Sequence, residues 1–157
     1  MAIPEKIAEL IGPIGEPQIW EVERGAIRRF ADAIDDPNPL YHDVEYAQNS
    51  RYGEMIAPVG FFGWPIKGAF MENMGSIIGP IVDAGYLVIV DGGIEYEPFL
   101  PIRAGGILSS YGKITDISEK TTKSGKGMLI PTMEMNFLNQ NGDKVLAVRW
   151  SFICRQL

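Results

Sequence analysis

The chain is poor in the residues that most often announce chemistry. Its 157 residues hold one cysteine, Cys154, and one histidine, His42. A lone cysteine excludes an internal disulfide and any zinc site built from cysteines, and it fits a reducing compartment. No resident metal or cofactor is expected. Long apolar runs are missing too. A stretch such as "GYLVIV" is far shorter than the roughly 20 residues a bilayer-spanning helix needs. The opening "MAIPEKIAEL" has no basic segment leading into an apolar one, so the expectation is a chain without a signal peptide, placed in the cytoplasm. Basic residues are outnumbered, 14 against 20 acidic, for a net charge of -6. That balance argues against general nucleic-acid binding. The deficit is uneven: residues 1–101 carry 6 basic and 16 acidic side chains, and residues 102–157 carry 8 and 4. An anionic ligand would favour the second half, or need only a local basic patch.

What is present suits one folded unit, residues 1–157, long enough for a real core. The chain is 46% hydrophobic and 22% charged, ordinary for a globular protein. Eighteen glycines and eleven prolines imply many turns, which favours β-rich or α+β structure. Residues 4–11 read as a short helix, followed by a Gly/Pro turn at "GPIGEP". Ile27, Phe30, Ala31 and Ile34 then fall at helical spacing. "DDPNP" stops that helix, because proline biases its predecessor away from the α region. Residues 36–57 read as an irregular excursion, and such a length without regular structure is usually functional. "APVGFFGWPIKGAFMENMG" is apolar and partly helical. "GYLVIVDGGIEYE" reads as a buried run that then alternates. "GILSSYGKITDI", "KGMLIPTMEMNFLN" and "KVLAVRWSFIC" complete about four strands, and "NQNGD" supplies the Asn-Gly signal of a tight hairpin. Helices first and an antiparallel sheet after them give α+β. A sheet curled around the apolar helix is the simplest way to bury both.

The stretch "FADAIDDPNPLYHDVEYAQNSRYGEMIAPVGF" and the later "GGIEYEPFLPIRAGGILSSYGKITDISEK…GKGMLIPTMEMNFLNQNGDKVLAV" resemble the MaoC-like hydratases and dehydratases of the hot-dog fold, in their N-terminal-half type. The ordered set "DPNP", "IAP", "EY…P…AG" and "NQNGDKV" carries the resemblance, over most of residues 27–150. It implies a single hot-dog domain with an overhanging loop. It also implies an acyl thioester as substrate, carried on coenzyme A or acyl carrier protein, with water added or removed across Cα–Cβ. Such chemistry needs a base, an acid and donors for a developing enolate oxygen. A homodimer, or a heteromer with another hot-dog subunit, is expected, since open sheet edges pair.

Carried over residue by residue, the family aspartate, asparagine and proline fall on Asp36, Asn38 and Pro39, while the family histidine falls on Tyr41. His42 comes one place late and, along an extended segment, would face away from whatever Tyr41 faces. The resemblance makes Asp36, Asn38, Tyr41 and His42 the catalytic candidates. Val59 and Gly60 are candidate oxyanion donors through their backbone N–H groups. Phe61, Phe62 and Trp64 are candidates to narrow an acyl pocket, and also to be core. Arg103, with Arg51 and Lys67 behind it, is a candidate for contacts to the carrier's phosphate side. The family's "AGD" turn reads Ala104-Gly105-Gly106 here, losing an acid. Two functions stay open: a hydratase or dehydratase in its own right, and a non-catalytic substrate-binding subunit of a heteromeric dehydratase. Hot-dog thioester hydrolysis is weaker, since Glu72 is the only acid in the apolar helical stretch and lies late in it. A non-enzymatic acyl or aromatic ligand binder is a further possibility.

Overall fold

The computed structural model describes residues 3–61 and 69–157, with the side chains of 69–73 left aside. Five helical pieces, α1 (Glu5–Ala8), α2 (Arg24–Ala33), α3 (Pro39–His42), α4 (Val44–Asn49) and α5 (Ala69–Asp83), accompany five strands. The strands are β1 (Gly12–Glu21), β2 (Val88–Pro98), β3 (Ile107–Thr121), β4 (Gly127–Leu138) and β5 (Lys144–Arg155). They form one antiparallel sheet in the order β1-β3-β4-β5-β2. The expected α+β arrangement is therefore present.

Alternation decides the inner face. In β4, Leu129, Met133, Met135 and Phe137 are buried. They sit opposite or beside Leu146, Val148 and Trp150 of β5. Ile77 and Ile81 of α5 join the same core as Leu129 and Met133, so the apolar helix lies on the inner face. The other face carries ion pairs between Arg149 and Glu95, at 2.7 Å, and between Lys113 and Glu134, at 3.7 Å. The hairpin from β4 to β5 turns as "NQNGD" predicts. Asn139 Oδ1 accepts from the N–H groups of Asn141 and Asp143, and Gly142 takes a positive φ of 84° that glycine adopts without a steric penalty.

Three expectations change. "GPIGEP" is not a turn but most of an edge strand, β1. Proline is tolerated on an edge because one side of the strand has no ladder to feed, and a register shift between Ile14 and Gln18 absorbs the rest. The run "LVIV" is not fully buried: β2 is the opposite edge, and Val90 remains 46% exposed. Residues 36–57 are not irregular, since α3 and α4 lie within them. Asn38 Oδ1 caps α3 through the Leu40 N–H, and Asp43 Oδ1 caps α4 through the Tyr46 N–H. Asx caps of this kind start helices too short to show a periodic pattern.

The excursion is pinned back onto the body at its far end. Ile56 bridges Arg103, Ala57 N–H donates to the Ile102 carbonyl at 2.8 Å, and Ala104 N–H donates to the Met55 carbonyl at 2.9 Å. Glu54 accepts from the Met55 N–H and pairs with Arg24 of α2.

Phe137 tests the core. It is 1% exposed and meets Trp20 edge to face at 6.0 Å. Phe137→Ala should cost about 3–5 kcal/mol, read as a lowered midpoint in urea unfolding with a little-changed slope.

Candidate functional site

The "DDPNPLYHD" segment begins where α2 ends. Asp36 N–H reaches back to the Ala31 carbonyl, and Asp35 takes the left-handed conformation, φ 54°, that closes a helix. The Asp36 carboxylate then folds onto its own chain: Oδ1 accepts from the Asn38 N–H at 3.0 Å. Pro39 opens α3, a position that suits proline's fixed φ and missing N–H.

Tyr41 and His42 part company as the alternation argument expects, although by a different geometry. The segment is a helical turn, not extended, so successive side chains diverge by about 100°. Tyr41 faces a cleft. His42 does not line it: its Nε2 lies 2.8 Å from the Asp36 carbonyl, and its Nδ1 lies 3.8 Å from Asp32. A carbonyl only accepts, so that contact holds the proton on Nε2. Arg28 donates to the His42 carbonyl at 3.2 Å and ties the turn to α2.

The cleft has a volume of about 340 Å³, within the range of small-molecule sites. One wall is Tyr41, Tyr52 and the segment 56–61; the other is residues 98–102 with Val145 and Leu146. Phe61 is both core and wall. It is buried and meets Phe30 edge to face at 5.7 Å. Gly60 lies between rings. A Cβ there would stand 3.6 Å from Phe30 and 3.8 Å from Tyr96, and its φ of 99° favours glycine. Phe61 N–H closes the turn on the Pro58 carbonyl. Among the described residues, the Val59 and Gly60 N–H groups meet no acceptor. Gly60 is buried against the cleft, whereas Val59 is 64% exposed. Phe62, Trp64 and Lys67 lie outside the described residues.

Arg103 is not part of this cleft. It lines a neighbouring cavity of about 210 Å³, and Leu100, Pro101, Ile102 and Val145 form a wall common to both. The resemblance offers it for the carrier's phosphate side and not for the acyl pocket, and the bridge to Ile56 fixes its backbone on the other side of that wall. Sequence reasoning passed over Tyr52, Tyr96 and the strap "PFLPI". The strap had a signal: apolar Phe99 and Leu100 bracketed by two prolines, immediately after a strand. Their N–H groups hang on the Val145 carbonyl.

Among the described residues no carboxylate, imidazole or cation lines the cleft, and the polar side-chain groups are the phenols of Tyr41 and Tyr52. Burial pushes the Tyr41 phenol above its ordinary value, the Asp36 carboxylate and Tyr52 add to the rise, and a side-chain hydrogen bond with Asn38 opposes it. Arg51 stacks on Tyr52, 4.8 Å above its ring, and donates to its hydroxyl at 2.6 Å. Tyr41 is thus a neutral hydrogen-bonding group, and Asp36 stands behind it.

The sequence matches, over residues 9–148, the family described as the FAS1-like dehydratase domain region. The chain belongs to the MaoC-like dehydratase family. Within it, a UPF0336 protein of Thermobifida fusca is 36% identical over 131 residues, 83% of this chain and 80% of that protein. A probable enoyl-CoA hydratase alpha subunit of Thermomonospora curvata is 28% identical over 152 residues, 89% of this chain but 47% of that longer protein. In three dimensions the MaoC-like chain superposes on one from the ChsH1-ChsH2 complex of Mycobacterium tuberculosis. The TM-score is 0.78 at 21% identity, covering 97% of this chain and 95% of that one. At that identity the likeness is one of fold, which is the hot-dog fold. Structural relatives of this kind form heteromeric complexes. Among the described residues no helix is long and apolar enough to cross a membrane, and no cluster of three potential metal ligands occurs.

The phenol positions predict a direction of pH dependence. Burial raises Tyr41, Tyr86 and Tyr96, with smaller contributions from Asp36 at Tyr41 and from Glu119 at Tyr86. The fold therefore holds these protons more tightly than the unfolded chain does. The stability they confer is complete below the ordinary phenol value of about 10 and is lost as pH rises through the higher folded values. Urea midpoints should be unaffected by these groups between pH 7 and 9 and fall above pH 10, with a shallower fall in Tyr41→Phe.

Proposed function

We propose that this MaoC-like domain, read as residues 1–157, serves the hydration or dehydration of an acyl thioester as the half that holds the acyl chain. A second hot-dog subunit would supply the base and acid. The observation that carries this is the lining of the cleft: among the described residues, two walls of apolar side chains, two phenols and no group that takes a proton at neutral pH. Adding water across Cα–Cβ needs a base of suitable pKa within hydrogen-bond reach. A phenol pushed above 10 is a poor one, and His42 is engaged with the Asp36 carbonyl. The buried Gly60 N–H, which meets no acceptor among the described residues, is suited to the thioester oxygen, where charge develops as an enolate forms. For the partner, strand β2 offers an open edge with Val90 and Ile94 46% and 42% exposed. An edge of this kind is completed by a second sheet.

A second reading is favoured by one feature. Asp36 lies close enough to Tyr41 for its charge to act on the phenol. A self-sufficient hydratase would use Asp36 to activate water, with Tyr41 and Asn38 orienting it.

Absorbance of the enoyl thioester separates the two. The purified chain alone should leave crotonyl-coenzyme A and a longer enoyl-coenzyme A unhydrated, and a complementary subunit should bring turnover. Turnover by the chain alone that is lost in folded Asp36→Asn would establish the second reading and sink the first. His42→Ala should behave as wild type in either assembly.

A further inference from the structure

The two phenols of the cleft have their oxygen atoms committed in the same way. Ser50 ends α4 and poses the residues after it. Its Oγ donates to the Ala47 carbonyl at 2.6 Å and accepts from the Tyr52 N–H at 3.1 Å, while the Gly53 N–H closes a turn on the Ser50 carbonyl. Gly53 takes a positive φ of 71° in that turn, which glycine adopts without a steric penalty. Tyr52 is thereby presented, half-buried, on the cleft wall, and its neighbour Arg51 is exposed. A guanidinium only donates. The 2.6 Å contact from Arg51 Nη2 therefore uses a lone pair of the Tyr52 oxygen and leaves its O–H.

Tyr41 is arranged alike. Asn38 Oδ1 caps the Leu40 N–H. The side-chain hydrogen bond between Asn38 and Tyr41 opposes the rise of the phenol, and a bond that favours the ionised form is one the phenol oxygen accepts. The Asn38 amide is thus the donor, and the Tyr41 O–H is left as well. The rings are close enough for Tyr52 to act electrostatically on Tyr41. Two O–H donors therefore stand near each other in a cleft whose other described side chains are apolar. The bond from Arg51 polarises the Tyr52 hydroxyl and strengthens it as a donor. A plain hydrocarbon chain in the cleft would cover these donors and give them nothing to bond, whereas a chain with an oxygen of its own would meet them.

We propose that Tyr52 and Tyr41 are specificity-determining residues, a pair of O–H donors that selects acyl groups carrying an acceptor oxygen on the chain, a hydroxyl or a ketone, over the plain chain of the same length. Arg51 and Asn38 are positioning residues, since each fixes one phenol as a donor. This selectivity rests on the acyl-thioester reading of the cleft and adds the class of acyl group that it holds.

Calorimetric titration of the full chain with hexanoyl-, 3-hydroxyhexanoyl-, 5-hydroxyhexanoyl- and 5-oxohexanoyl-coenzyme A tests it. The wild type should bind at least one oxygenated ligand about fivefold or more tightly than hexanoyl-coenzyme A. The preferred ligand places the oxygen at carbon 3 or carbon 5 and tells a hydroxyl from a ketone. Tyr52→Phe and Tyr41→Phe each remove one oxygen and keep the ring, so they should shrink that ratio without weakening hexanoyl-coenzyme A. Arg51→Ala should shrink it in part. All four ligands share one carrier, so any effect of Arg51 on the carrier cancels in the ratio. Lys123→Ala, an exposed control, should leave it intact, and thermal melts confirm that each variant is folded. A wild type that binds all four alike, or either phenylalanine variant keeping the full preference, overturns the proposal. Tyrosine-dependent affinity that is equal for all four would assign the phenols to the thioester carbonyl and overturn it too. Binding of no acyl thioester would sink the acyl reading and the selectivity with it, whereas equal binding of all four would sink the selectivity alone.

Discussion

Two backbone hydrogen bonds organise everything that has chemical interest in this molecule. Ala57 donates to Ile102, and Ala104 donates to Met55. They hold the end of the 36–57 excursion against the segment that follows β2. Without them, the Pro58–Phe61 turn and the "PFLPI" strap would have no reason to face each other. With them, the strap becomes a partition. On one side lies an apolar cleft under Tyr41 and Gly60. On the other lies a polar cavity under Arg103. Glu54 reinforces the join by accepting from the Met55 N–H and pairing with Arg24. The hydrogen bond from Arg24 is the main reason that its carboxyl sits below the usual range.

That partition also explains the division of labour in the site. A cleft lined by apolar groups, the raised phenol of Tyr41 and the hydroxyl of Tyr52 is good at excluding water and poor at moving protons. The parts of the Asp36–Asn38–Tyr41 turn are spent internally. Asp36 caps Asn38, Asn38 caps Leu40, and His42 holds the Asp36 carbonyl. A loop saturated by its own hydrogen bonds makes a rigid wall. On the proposed reading, in which this chain holds the acyl group for a second subunit, rigidity is the useful property.

The sequence made some of this legible and hid the rest for physical reasons. Regular alternation in "MLIPTMEMNFL" identified the core face, because one side of β4 is buried and the other carries charge. The Tyr41–His42 offset was visible as a one-residue shift, and it survives in three dimensions because neighbours in a helical turn also diverge. Strand β1 was hidden by its prolines, which signal a turn everywhere except on a sheet edge. The short helices α3 and α4 were hidden because Asx caps, not apolar periodicity, start them. The two-cavity layout was out of reach. It depends on a contact between residues nearly fifty positions apart, which no local pattern encodes. The Arg103 side chain was noticed from its charge, but its place beyond the strap follows from that contact alone.

The central claim is that the cleft between the 56–61 turn and the strap holds the acyl chain. The most direct measurement is the amide NMR spectrum of labelled protein titrated with hexanoyl-coenzyme A, which cannot be hydrated. The account predicts the largest shifts at Gly60, Phe61 and Leu100. Shifts confined to the outer sheet face, around Glu95 and Arg149, or no shifts in the cleft at saturation, would contradict it.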